Sequence, residues 1–192
     1  MHPKLPLMLL NGSEGIGTGF SSVIPCFNHE DIINSMVNYV EKGKAKKIRP
    51  WFRHYKGHVE IDERNRIITR MEIKQKGDKF FIVDLPRGYD SQRIYRHLNK
   101  FIDNDFLKDY IDSSVENDIM IELVFKRGVQ LTLEEIEKTL MVSSVMTPNY
   151  TLISDTGVSI YKAPEEIITL FTEQRLVVVR RRYEILAKKT SE

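Results

Sequence analysis

The chain has little cysteine, little net charge and no long apolar run, and each shortage removes a class of protein. Cys26 is the single cysteine in 192 residues, which excludes a disulfide framework and a multi-cysteine zinc site. A reducing, intracellular compartment is expected, with Cys26 itself a small buried side chain. No stretch approaches the roughly 20 apolar residues of a membrane span. Pro3, Lys4 and Pro6 interrupt the one apolar N-terminal stretch, so no signal peptide is expected either. His2, His29, His54, His58 and His97 show no metal-ligand spacing. A net charge of +2 is too small to imply a polyanion partner by itself.

What is present reads as a soluble, globular chain, with 41% hydrophobic and 29% charged residues. The length suits one large domain or two small ones, and at this size folding buries about 70% of the unfolded surface. The charge is unevenly spread. Between Lys42 and Lys56 stand Lys42, Lys44, Lys46, Lys47, Arg49, Arg53 and Lys56 with no acid, interleaved with Trp51, Phe52 and Tyr55. That stretch reads either as a solvated linker after a helix or as a phosphate-contacting strip.

The apolar run Lys4–Leu10 ends in Asn11-Gly12 and suits a strand or extended segment delivered into a turn. Asn28 as N-cap, Ile33, Met36, Val37 and Val40 at helical spacing, and Gly43 as a stop predict an amphipathic helix. Alternating segments at Gly57–Ile61, Arg66–Ile73 and Lys79–Asp84 predict an antiparallel meander, ended by Pro86. A helix capped by Asp90 or Ser91 is predicted to about Phe101, and a strand at about Ile119–Lys126. Thr132 with Glu135 fits a capping box for a helix to about Val142. Thr151–Ser154 and Val158–Tyr161 flank Asp155-Thr156-Gly157 as a hairpin. Pro164, Glu165 and Glu166 open a last helix with no breaker through Glu192.

Gly12, Gly15, Gly17 and Gly19 fall within eight residues and invite a phosphate-binding reading. Two versions fail. A P-loop would need lysine where Thr18 stands, and a dinucleotide fingerprint would need glycine at Phe20 or Ser22, followed by βαβ units instead of a meander. Two others stay open: a tight solvent-facing turn, and a loop that meets another molecule. Ile16 favours the second. Glycines on either side let the backbone approach closely, and an apolar tip held there suits a wedge between base pairs in a minor groove.

The stretch Leu5-Pro6-Leu7-Met8-Leu9-Leu10-Asn11-Gly12-Ser13-Glu14-Gly15-Ile16-Gly17-Thr18-Gly19, with Ile24-Pro25 and Asn28 after it, resembles type IIA DNA topoisomerases in the segment following the catalytic tyrosine domain. In that family the isoleucine matching Ile16 intercalates into the bent duplex. Pro50 to Glu60 resembles the run into the family's tower domain, of the kind in eukaryotic and viral enzymes, and Val83-Asp84-Leu85-Pro86 its "E-(I/L)-P" segment, with Asp for Glu. Tyr161-Lys162-Ala163-Pro164, then Ile167, Phe171, Arg175 and Arg180–Arg182, resembles the start of the coiled-coil arm. The motifs span essentially the whole chain in order, and their flavour is nearest to phage or viral medium subunits.

The resemblance implies an α+β fold: an antiparallel-sheet tower domain with packed helices, ending in a long coiled-coil-type helix. It divides the chain into 1–28 (wedge loop and end of the breakage-reunion domain), 29–162 (tower) and 163–192 (start of the arm). It implies DNA binding and bending within an ATP-dependent double-strand passage enzyme. Ile16 would intercalate, and Asn11, Gly12, Ser13, Gly15, Gly17, Thr18, Gly19, Lys44, Lys46, Lys47 and Arg49 would touch the DNA, with Arg180–Arg182 offering further charge. No catalytic residue is expected. Arg182-Tyr183 imitates the family's Arg-Tyr dyad in the wrong place and reads as helix surface plus packing. Asp103, Asp105, Asp109 and Asp112 read as a solvated loop face. Magnesium and ATP would belong to the full enzyme, in a separate metal-binding and ATPase domain or subunit. Double-stranded DNA is the expected partner, with a homodimer formed through other segments and no membrane. The expected location is intracellular, in the cytoplasm of a bacterial host rather than a nucleus. A standalone architectural DNA-binding module, or a purely structural interaction domain, are the other classes.

Overall fold

Local signals set most of the elements, and long-range pairing sets the rest. The computed structural model describes residues 3–17, 19–154 and 157–190. In chain order the first elements are α1 (Leu7–Asn11), β1 (Ser13–Ile16), β2 (Ser21–Ile24) and α2 (His29–Lys42). Then come β3 (Glu60–Ile61), β4 (Ile67–Arg70), β5 (Glu72–Lys76), β6 (Lys79–Asp84), α3 (Ser91–Asp103), β7 (Asp109–Asp112), β8 (Ile121–Val124), α4 (Leu133–Leu140) and β9 (Ser143–Met146). The chain closes with β10 (Tyr150–Ser154), β11 (Gly157–Tyr161) and α5 (Pro164–Thr190). The fold is α+β with antiparallel sheets and a long last helix, as expected.

The elements divide into two units, Met1–Trp51 with Thr147–Glu192, and Phe52–Met146. The second is narrower than the 29–162 segment read from the sequence. The reason is packing: α2, β10 and β11 contribute Ile32, Tyr150, Leu152 and Tyr161 to the same core as Leu9, Ile24, Phe27 and Ile168.

In the first unit, α1 replaces the expected strand. Leu7-Met8-Leu9-Leu10 contains no β-branched residue, and Pro6 is preset for a helix start, so one helical turn buries Leu9 while Leu7 stays half exposed. The glycine-rich segment is ordered into an antiparallel ribbon, with Ser13 opposite Ile24 and Ile16 opposite Ser21. α2 has its expected caps: the Asn28 side chain accepts from the Glu30 N–H, and Gly43 at φ +72° donates its N–H to the Tyr39 carbonyl. Its buried face is rotated, however. Ile32 and Ser35 are buried, whereas Ile33, Val37 and Val40 of the expected apolar stripe are exposed. β10 pairs β11, with the turn residues Asp155 and Thr156 outside the described residues. α5 buries Ile167, Ile168 and Thr172 near its start and is largely exposed from Glu173 on.

In the second unit, the expected continuous strand Arg66–Ile73 is cut at Met71. β4 pairs β3 and β9, whereas β5 pairs β6, so the chain changes sheets at a residue only 1% exposed. The sheets order as β3-β4-β9 and β5-β6-β8-β7. Asp90 caps α3 through the Arg93 N–H, and the capping box of Thr132 and Glu135 opens α4, which stops at Leu140. Asp109–Asp112, expected as loop, is the edge strand β7. Its mostly exposed side chains hide the period-2 signal, and pairing with β8 creates the strand. Ile82, Ile94, Leu98, Ile121, Ile136 and Leu140 centre the core.

Candidate nucleic-acid interface

The ribbon β1–β2 is built from its base outward. Gly12 adopts φ +69°, and a Cβ there would lie 2.8 Å from Cys26 Sγ and 2.9 Å from the Ile24 carbonyl, so glycine is required. Cys26 is half-buried rather than buried, and its thiol donates to the Asn11 carbonyl at 3.1 Å. The turn closes through the Gly17 N–H to the Phe20 carbonyl at 2.8 Å, with Gly19 at φ +92°. All four residues of β1 are exposed, and Ile16 at its end is 93% exposed.

An isoleucine left in water beside a core that buries Ile24 has no internal reason to be apolar. Gly15, its neighbour, has nothing within 4 Å of where a Cβ would stand, so its smallness serves no contact inside the chain. Ser13, Gly15, Gly17 and Gly19 are thus gathered in the ribbon and its turn, with Asn11 and Gly12 at its base; Thr18 lies outside the described residues.

The basic stretch is not a loose linker. Ala45, Ile48 and Pro50 are buried, while Lys44 before them and Lys46, Lys47 and Arg49 between them are exposed. Asn38 Nδ2 and Ser35 Oγ from α2 each donate to a lysine carbonyl, of Lys44 and Lys46, both at 2.6 Å. The Ile48 N–H donates to Glu165 Oε1 at 2.9 Å. The Trp51 N–H donates to the Cys26 carbonyl at 2.8 Å and Pro50 bridges Phe27, which ties the end of the stretch to the base of the ribbon. The backbone is held inward and the cations outward. Tyr150, near Glu165, is buried; burial first, and the Glu165 carboxylate second, hold its phenol above the usual range.

Lys56 belongs to the other unit and is ion-paired with Asp118, so its charge has a partner within the chain. Arg180, Arg181 and Arg182 are exposed on α5. Tyr183 is 69% exposed, so the Arg182-Tyr183 pair is helix surface without the expected packing. Among the described residues, no three His, Cys, Asp or Glu side chains converge to hold a metal ion, and none of the described helices is long and apolar enough to cross a membrane.

Sequence reasoning missed Asn149. Its side chain donates to the Ser21 carbonyl at 2.8 Å and to Ser21 Oγ at 3.3 Å, and its backbone bridges Val23. The partners lie 128 residues apart, and no local spacing signals the pair.

An exposed apolar tip on an anchored ribbon, with a fixed strip of cations joined to the ribbon's base, occurs here in a recognisable family. Residues 1–192 match the DNA gyrase/topoisomerase IV A-subunit family, and the chain belongs to that family, within the type II DNA topoisomerases. It is 32% identical over 193 residues to the mitochondrial DNA topoisomerase 2 of Dictyostelium discoideum, covering 97% of this chain and 15% of that protein. It is 30% identical over 195 residues to DNA topoisomerase 2 of Plasmodium falciparum, covering 97% of this chain and 14% of that protein. The crystal structure of the Plasmodium falciparum topoisomerase II DNA-binding, cleavage and re-ligation domain superposes with TM-score 0.80 at 28% identity, over 96% of this chain and 26% of that one. The chain therefore spans about 15% of the length of these curated relatives.

Proposed function

We propose that this chain is the DNA-binding and DNA-bending part of an ATP-dependent type IIA topoisomerase. The observation that carries the reading is Ile16, 93% exposed at the end of a ribbon whose base is pinned by Gly12 and Cys26. Inserted at a base step of double-stranded DNA, Ile16 replaces part of the lost stacking and kinks the duplex, while Lys44, Lys46, Lys47 and Arg49 meet phosphates. Bending selects deformable sites and presents both scissile phosphates to tyrosines supplied by a dimer.

In this reading residues 1–28 are the wedge and the end of the breakage-reunion domain, 29–162 the tower with Phe52–Met146 as its compact body, and 163–192 the start of a coiled-coil arm. We further read the enzyme as of phage or viral medium-subunit type, working in the cytoplasm of a bacterial host. Strand cleavage, magnesium and ATP hydrolysis lie elsewhere in the enzyme, so the 192 residues alone leave supercoiled DNA uncut. The test is fluorescence transfer between dyes at the two ends of a short duplex, titrated with the purified chain at rising salt. Transfer rising on binding, with affinity falling steeply as salt rises, supports the reading. Salt-insensitive association, or binding to a duplex that stays straight, defeats it, and covalent DNA adducts would defeat the placement of the chemistry.

A further inference from the structure

We infer that Asn149 is a positioning residue for DNA bending: it sets the pose of the ribbon that carries Ile16. The inference rests on the reading of Ile16 as the wedge.

A two-stranded ribbon is marginally stable in water by itself, and β1 buries none of its four side chains, so the tip draws no hydrophobic support from its own strand. β2 supplies anchoring bonds. Asn149 takes part with every polar group it has. Its N–H donates to the Val23 carbonyl at 2.8 Å, and its carbonyl accepts from the Val23 N–H at 2.9 Å. Its Nδ2 donates to the carbonyl and hydroxyl of Ser21. Its Oδ1 accepts from the hydroxyl of Thr151, itself buried, at 2.6 Å. The Thr151 bond orients the carboxamide, because an oxygen engaged there leaves the amide hydrogens facing Ser21.

Ser21 is the residue directly opposite Ile16 in the ribbon. The side-chain clamp therefore holds the cross-strand neighbour of the wedge, while the backbone bridge holds Val23, opposite Glu14. Because both amide hydrogens are in use within the chain, Asn149 has no donor left for DNA and acts only through the ribbon. Its place three residues after Met146, where the chain leaves the Phe52–Met146 unit, makes the residue just before β10 the anchor.

The experiment uses the natural full-length enzyme and the substitution Asn149→Asp. This keeps an oxygen for Thr151 but sets a carboxylate against the Ser21 carbonyl in place of the amide donors. Duplex bending by end-to-end fluorescence transfer falls to the level of Ile16→Ala, cleavage drops about tenfold to 100-fold as expected for a wedge misplaced by about 1 Å, and the salt slope of binding is unchanged. The amides of Gly17 and Val23 exchange hydrogen faster in the DNA-free protein. The double variant Ile16→Ala/Asn149→Asp bends no less than Ile16→Ala alone, because both act through one contact. Thr151→Val, which frees the carboxamide without adding charge, shifts bending the same way by less and guards against a general folding defect. Normal bending by Asn149→Asp and Thr151→Val, beside impaired Ile16→Ala, overturns the role of Asn149 and leaves the wedge standing. Normal bending by Ile16→Ala overturns the wedge and the positioning role together.

Discussion

The carboxylate of Asp84 accepts the backbone N–H of Gly57 at 3.0 Å, joining the end of β6 to a loop 27 residues earlier. The same oxygen accepts the Lys56 N–H, and the other accepts the N–H of Leu85 at 2.9 Å. Asp84 is 6% exposed, so water replaces few of these bonds when the carboxylate is removed. Asp84→Ala is expected to cost about 2–4 kcal/mol, since an unpaired buried donor costs roughly 1–3 kcal/mol. Asp84→Asn, which keeps one acceptor oxygen, should cost less. Denaturant unfolding measures both, and a loss below about 0.5 kcal/mol for Asp84→Ala would remove the clamp from the account.

Gly12 and Gly15 should respond oppositely to alanine. At Gly12 the positive φ alone costs about 1–3 kcal/mol in a non-glycine residue, and the added Cβ meets both Cys26 Sγ and the Ile24 carbonyl. Cys26→Ala in the same chain relieves the first contact but not the second. Gly15→Ala meets nothing within 4 Å, so thermal stability is expected to stay put while DNA affinity falls. Stability losses of equal size at the two positions would mean that Gly15 serves the fold and not a ligand.

These contrasts show where the sequence was legible. Asn28, Gly43, Thr132 with Glu135, and Pro164 marked helix ends correctly because a cap is a bond between residues within a turn of each other. The face of α2 was misjudged by one residue. Ile33, Val37 and Val40 have the right spacing, but the neighbours that decide burial, β10 and α5, lie more than 100 residues on. The break at Met71 and the edge strand β7 depend likewise on pairing partners outside their own segments, β9 and β8. At the candidate site, Ile16 and its glycines were visible as composition. The clamp from Asn149 was not, since a lone asparagine after Pro148 reads as an ordinary turn residue.

The basic strip gives a salt test. Replacing Lys44, Lys46 and Lys47 by alanine removes three exposed cations, and the bonds that hold this backbone go to the carbonyls of Lys44 and Lys46, so folding should be unaffected. Each phosphate contact contributes about 0.9 to the slope of log K against log salt, so the triple variant should flatten it by up to about three units. An unchanged slope returns the strip to a solvated role.

Alkaline pH should loosen the first unit. Burial raises the Tyr150 phenol above its usual 10, with the Glu165 carboxylate adding to the effect. The unfolded chain thus gives up this proton first. Above about pH 10 the folded chain holds more protons than the unfolded one, so stability that is complete below pH 10 declines as pH rises through the folded value. Tyr39, Tyr55 and Tyr95 shift in the same direction, which makes the comparison with Tyr150→Phe the informative one. The phenylalanine variant should lose stability less steeply between about pH 9 and pH 11 than the parent, by about the range of a single displaced titration. Parallel curves would show that Tyr150 ionises as freely folded as unfolded.

Ile16 and Ile24 stand at opposite ends of one ribbon and should separate function from folding. Ile24 is 2% exposed and packs in the core with Phe27 and Ile32, so Ile24→Ala creates a cavity and is expected to cost about 2–5 kcal/mol. Ile16 is 93% exposed, and shortening it leaves no cavity, so Ile16→Ala should stay within about 0.5 kcal/mol of the parent. Bending should show the reverse order. A duplex kink lasts while an apolar group replaces the stacking that the kink removes, and alanine is too short to do so. In the full-length enzyme, Ile16→Ala should therefore bind DNA with its salt dependence intact, since phosphate contacts supply that term, yet leave the duplex nearly straight. Unfolding curves on the DNA-free protein and fluorescence transfer at saturating protein give the two readings side by side. If Ile16→Ala lost several kcal/mol while bending stayed normal, Ile16 would be a core residue and the glycines around it turn formers.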